Sequence, residues 1–194
     1  MFLRSKTILL LPLLISFLMD GKPNIIIILT DDLGWGDVSY HGGSIPTPNI
    51  DELVSKGLEM NRFYSDPSCS PTRATMLTGI NSFANGVVRP FANPRVESHG
   101  MPLEHKIMPE YFKEAGYQTA LSGKWHLGMS EEGFLPINRG FDSTYGHLMG
   151  GIGYFDHAFS GRLDWHRNSI PLYEDGYSTT CLLYTSPSPR DRIA

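Results

Sequence analysis

The sequence predicts an α/β fold with a mainly parallel or mixed central sheet flanked by helices, and three observations carry that expectation. Apolar runs of strand length alternate with short amphipathic stretches of helix length. The 20 glycines and 14 prolines supply many short loops, which disfavours a bundle of long helices. Charged residues stand just past the expected strands, the place where ligands collect in open parallel sheets.

Residues 24–30, Asn-Ile-Ile-Ile-Ile-Leu-Thr, form a continuous β-branched run, the pattern of a strand covered on both faces, and it ends in Asp31-Asp32. Thr47-Pro48-Asn49 then offers a helix N-cap with proline in the first turn; Ile50, Leu53 and Val54 form one apolar face and Gly57 stops the helix. Residues 58–64 read as a further extended segment and 109–115 as a helix closed by Gly116. Residues 117–122 resemble a strand that runs into Gly123-Lys124-Trp125-His126.

A length of 194 residues is about one domain, and 41% hydrophobic with 19% charged residues is the content of a folding chain. The 16 basic residues against 20 acidic ones give a net charge of −4, so no cationic surplus draws the chain to nucleic acid or to anionic lipid. Arg4 and Lys6 precede the apolar run 8–18 and polar Asp20-Gly21-Lys22, the order of an export signal over residues 1–21. That run is too short for a stable membrane span, so a secreted or periplasmic location is expected. Residues 181–194, from Cys181 through Ser-Pro-Ser-Pro-Arg-Asp, resemble the translation of a sequencing adapter and are expected to be a non-native tail. Two cysteines are no disulfide framework.

Two adjacent carboxylates at the end of a buried strand are costly unless a cation or hydrogen bonds compensate them. Asp31 and Asp32 are therefore candidate ligands for a hard divalent ion, Ca²⁺ or Mg²⁺; paired aspartates also cap helices and line solvated loops. Cys69 stands just before Pro71, which suits the first turn of a helix. Such a terminus aims backbone N–H groups and the positive end of the dipole at the group on Cys69, which favours an anion there. Arg73 adds a planar cation able to hold an oxyanion. His147, His157 and His166 lie in or beside a Gly- and aromatic-rich stretch suited to lining a sugar-binding cleft, and each reads first as a surface or core histidine.

Cys69-Ser70-Pro71-Thr72-Arg73 with Leu77-Thr78-Gly79 resembles the first signature of the type I sulfatase family, within the alkaline phosphatase superfamily. The run from Gly116 through Gly123-Lys124-Trp125-His126 is similar to the second, and Asp31-Asp32 stand where that family keeps its first metal ligands. The resemblance covers residues 22–180 and implies the N-terminal part of a catalytic domain. Asp164-Trp165-His166-Arg167-Asn168 and the tyrosines that follow resemble the arylsulfatase B-like branch, whose members act on sulfated amino sugars or polysaccharides.

The resemblance implies a sulfuric ester hydrolase in which a formylglycine-generating enzyme oxidises Cys69 to Cα-formylglycine, whose hydrate is the nucleophile of a two-step covalent catalysis. By the same resemblance Asp31, Asp32 and the group at Cys69 bind Ca²⁺. Arg73 anchors the hydrate, Lys124 bridges it to a sulfate oxygen, and His126 takes a hydroxyl proton. The substrate implied is a sulfated carbohydrate or an aryl sulfate. Alternatives are a phosphonate monoester or phosphodiester hydrolase of the same superfamily and a non-catalytic carbohydrate-binding relative. Thr72 stands where the family commonly has serine, and Ile80-Asn81-Ser82 follow where it often has a basic residue. The family's second Asp and Asn ligand pair, a further His and another Lys lie downstream of the residues matched here.

Overall fold

The computed structural model describes residues 21–91 and 100–185. Residues 1–20 of the expected export signal over 1–21 and residues 186–194 of the expected tail lie outside the described residues. Five α-helices are described: α1 (Pro48–Lys56), α2 (Cys69–Thr78), α3 (Ser82–Asn85), α4 (Met108–Glu114) and α5 (Ser178–Thr185). The principal sheet comprises β1 (Ala120–Lys124), β2 (Ser143–His147), β5 (His166–Arg167) and β6 (Ile170–Pro171), in the order β1-β2-β5-β6. A hairpin of β3 (Ala158–Phe159) and β4 (Arg162–Leu163) stands apart from it.

The sheet is mixed. β1 and β2 run parallel with Ala120 opposite Ser143 and Lys124 opposite His147, whereas β2–β5 and β5–β6 are antiparallel. The strand expected at 117–122 begins later, at Ala120: Thr119 spends its N–H on the Asp142 carboxylate at 3.0 Å and its hydroxyl on the Gly140 carbonyl at 2.6 Å. The apolar core is Ala74 and Leu77 of α2 with Val87, Met101, Ile107, Trp125, Leu127, Phe141 and Leu148. Trp125 donates its indole N–H to the carbonyls of Phe134 and Gly128, so the ring is buried without leaving a donor unpaired. This core fastens α2 to the segment that follows β1.

Two sequence expectations fail. Residues 24–30 are not a strand: no strand pairs with them among the described residues, and Ile25 to Leu29 are 37–76% exposed. A β-branched run becomes a buried strand only when neighbouring strands take its N–H and C=O groups, and none does so here. Instead Ile25, Ile27 and Leu29 line a cleft of about 560 Å³ together with residues of β1. Residues 58–64 are likewise unpaired, with Leu58, Phe63 and Tyr64 exposed. The helices expected at 48–56 and 109–115 are present as α1 and α4, although α1 buries none of its residues.

Candidate active site

Cys69 is the first residue of α2, and Ser68 before it has the extended backbone of an N-cap. Asp66 fixes this entry. Its two carboxylate oxygens accept from the Thr75 hydroxyl at 2.7 Å and the Ser82 hydroxyl at 2.5 Å, and its carbonyl accepts from the Thr72 hydroxyl at 2.9 Å. Thr72 thus performs a positioning task that any hydroxyl in that place can perform. At the other end of the helix Gly79 closes α2 in the left-handed region, with φ of 68°.

Two contacts bind α2 to the end of β1. The Ser70 hydroxyl donates to the carbonyl of His126 at 2.8 Å, and Arg73 donates to the carbonyl of Lys124 at 2.7 Å. The parallel ladder then continues past the strand, with the amide of His126 donating to the Leu148 carbonyl at 3.1 Å. His126 has φ of 56°, a left-handed backbone that costs energy outside glycine and asparagine and persists only where the surroundings hold it.

These constraints place His126 Nδ1 at 3.1 Å from Cys69 Sγ, and its Nε2 at 3.0 Å from the Phe91 carbonyl. A carbonyl only accepts, so Nε2 carries the hydrogen and Nδ1 keeps its lone pair toward Cys69. The imidazole is only 5% exposed. Burial lowers its pKa, the Phe91 carbonyl opposes this, and the nearby charges of Lys124 and Arg73 lower it further. His126 is therefore a neutral acceptor facing position 69.

Lys124 Nζ pairs with Asp31 Oδ2 at 2.6 Å, and an Arg73 terminal nitrogen lies 3.7 Å from Asp31 Oδ1. Burial raises the Asp31 pKa, but the hydrogen bond and charge of Lys124 and the charge of Arg73 outweigh it and hold the carboxyl below its ordinary value. Burial also lowers the Arg73 pKa, opposed by Asp31 and Cys69, and its Nε is buried with no partner among the described residues. Asp31, Arg73 and Lys124 line the same cleft as residues 25–29.

Of the residues singled out in the sequence, Cys69, Arg73, Lys124, His126 and Asp31 come together. Asp32 does not: it is exposed, has φ of 57°, and makes no polar contact with a described residue. Among the described residues no cluster of at least three His, Cys, Asp or Glu side chains is able to hold a metal ion. The two carboxylates have the oxygen chemistry a hard cation takes, but they fall short of the roughly six to eight ligands of Ca²⁺. His147 faces the cleft and its Nδ1 donates to the Met149 carbonyl; burial pushes its pKa down to about 4. His157 is a core residue stacked on Trp165 at 4.5 Å, and His166 pairs with buried Asp164. Sequence reading missed Asp66 and Phe91, since a carboxylate serving two distant hydroxyls and a main-chain carbonyl leave no local pattern.

A half-buried thiol at the start of a helix, faced by an unprotonated imidazole nitrogen and near the Arg73 guanidinium, stands beyond the carboxyl end of a parallel strand pair, where anionic groups are favoured. The class is an alkaline phosphatase-like α/β domain. The chain belongs to the sulfatase family, whose model, described as "Sulfatase", matches residues 23–164. Arylsulfatase J of Mus musculus is 38% identical over 137 residues, which is 71% of this chain and 23% of the relative. N-acetylgalactosamine-6-sulfatase of Homo sapiens is 38% identical over 161 residues, 79% of this chain and 29% of the relative. The solved structure titled as BT4656 in complex with its substrate D-glucosamine-2-N,6-O-disulfate superposes with a TM-score of 0.64 at 32% identity, covering 83% of this chain and 29% of that one. The chain thus spans about a quarter of the length of these relatives.

Proposed function

We propose that this chain is the N-terminal part, over residues 22–180, of the catalytic domain of a sulfuric ester hydrolase that removes sulfate from sulfated sugars. The observation that carries the reading is the 3.1 Å approach of the His126 Nδ1 lone pair to Cys69 Sγ. Position 69 would mature to Cα-formylglycine by the action of a formylglycine-generating enzyme. The mature group would supply the nucleophilic oxygen. Asp31 and Asp32 would hold Ca²⁺ together with ligands from further along the polypeptide, and the ion would supply positive charge beside the sulfate.

The chain's own residues define the remaining work. His126 accepts a proton at Nδ1 from the group at position 69, and the Phe91 carbonyl keeps its opposite nitrogen protonated. Lys124, which pairs with Asp31 at 2.6 Å, would donate to a sulfate oxygen were that carboxylate engaged by a cation. Arg73, tethered through the Lys124 carbonyl, would turn its guanidinium toward the same anion. Residues 1–21 would direct export to a secreted or periplasmic location, and residues 181–194 would be foreign to the natural sequence.

The glycan substrate is inferred from relatives whose names and titles specify N-acetylgalactosamine 6-sulfate chemistry and a glucosamine disulfate. The test is hydrolysis by a protein that carries this chain with its natural downstream sequence, given an aryl sulfate, a sulfated amino sugar and an aryl phosphonate. Sulfate release well above phosphonate cleavage is the expected result. Preference for the phosphonate would transfer the protein to that branch of the superfamily, and cleavage of neither would remove the enzymatic reading.

A further inference from the structure

His126 is held from several sides, and one of those sides is a hole in a side chain. Gly150, three residues past the end of β2, lies against the imidazole. A Cβ at position 150 would stand 2.7 Å from Cε1, 2.9 Å from Nε2 and 3.2 Å from Nδ1 of His126. Such distances are well inside the ordinary separation of non-bonded carbon atoms. The backbone of Gly150 lies outside the left-handed region, so its φ does not demand glycine. Glycine is thus required at position 150 by space and not by conformation.

The ring has no room to retreat. Its Nε2 is tied to the Phe91 carbonyl, its backbone to Leu148 and Ser70, and its surroundings exclude solvent almost completely. A methyl group at 150 must therefore rotate the imidazole away from the Phe91 carbonyl, from Cys69 Sγ, or from both. Adjacent Gly151 supplies the contrast, because a Cβ there meets nothing within 4 Å and its φ likewise lies outside the left-handed region.

We infer that Gly150 is a positioning residue: its bare α-carbon, together with the Phe91 carbonyl, clamps the His126 ring so that Nδ1 is the nitrogen presented to position 69. The inference rests on the functional reading above only for what the clamped nitrogen does, since the clamp itself is geometric.

The experiment compares wild type, Gly150→Ala and Gly151→Ala in the protein carrying its natural downstream sequence. Nitrogen NMR of labelled histidine should show the wild-type ring protonated at Nε2, an altered His126 resonance in Gly150→Ala, and none in Gly151→Ala. On an aryl sulfate, Gly150→Ala should lower kcat by roughly tenfold to a hundredfold with KM little changed. Should Gly150→Ala fold poorly, its loss of stability should disappear in a His126→Ala background, where the clashing ring is gone. An unchanged His126 resonance in Gly150→Ala, or an equal loss of stability with and without the imidazole, overturns the clamp. Wild-type protein inert toward sulfate esters would instead defeat the functional reading, with the spectra still deciding the clamp.

Discussion

The two motif regions of the molecule differ in how far they have been built. Around Cys69 the entry to α2 is pinned by Asp66, the helix is tied to the residues after β1 through Ser70 and Arg73, and His126 is fixed on both ring nitrogens. Around Asp31 and Asp32 the preceding apolar run is exposed and unpaired, and Asp32 touches no polar partner among the described residues. The first region carries its supporting partners between residues 66 and 150. The second depends on backbone partners that the described residues do not provide. A catalytic motif becomes geometry only when the elements that hold it are also present.

The largest expected effect separates the chemistry of the first region from its architecture. Replacing His126 by Ala, in the protein with its downstream sequence, should lower kcat on an aryl sulfate by about 10²–10⁴-fold, the range for loss of a positioned acid or base. A change of less than tenfold would show that the imidazole only packs.

Acid should weaken the fold through His147. The unfolded chain takes up this proton near pH 6.5, whereas the folded imidazole takes it only near 4, because burial disfavours the cation. Between those values the unfolded state binds more protons, so stability falls as pH drops from about 6.5 to 4 and is fully present above that window. The span corresponds to about 3 kcal/mol. Urea unfolding at several pH values should show a slope that His147→Asn flattens.

Asp66→Ala should cost about 1–3 kcal/mol, since it leaves the hydroxyls of Thr75 and Ser82 without their acceptor. Thermal unfolding checks it. The smallest effects belong to the second region. Asp31→Asn should change stability by less than about 1 kcal/mol, because its ion pairs are partly open to solvent and screened, and Asp32→Asn by about 0.5 kcal/mol or less. A large loss from Asp32→Asn would erase the contrast between the regions.

The fold class was legible in the sequence, as were most of the residues that meet at the candidate site, because local signals mark the elements that carry them. Pro48 before an apolar face marked α1, Gly116 marked the end of α4, and Cys69 with Pro71 and Arg73 marked the start of α2. Residues 24–30 depart from the strand pattern for a physical reason: an Ile-rich run states a preference for burial, but pairing is supplied by other strands. Asp66, the Phe91 carbonyl and Gly150 were illegible because their roles arise where distant segments meet. Gly150 in particular looks like any loop glycine until the His126 ring is placed against it.

The most direct test of the account is the chemical state of position 69 in protein matured with a formylglycine-generating enzyme and active on a sulfate ester. Mass spectrometry of the peptide spanning α2 should find an aldehyde that a hydrazide probe captures, and Cys69→Ala should lose both capture and turnover. Full sulfate ester hydrolysis by protein that retains an intact Cys69 thiol would contradict it.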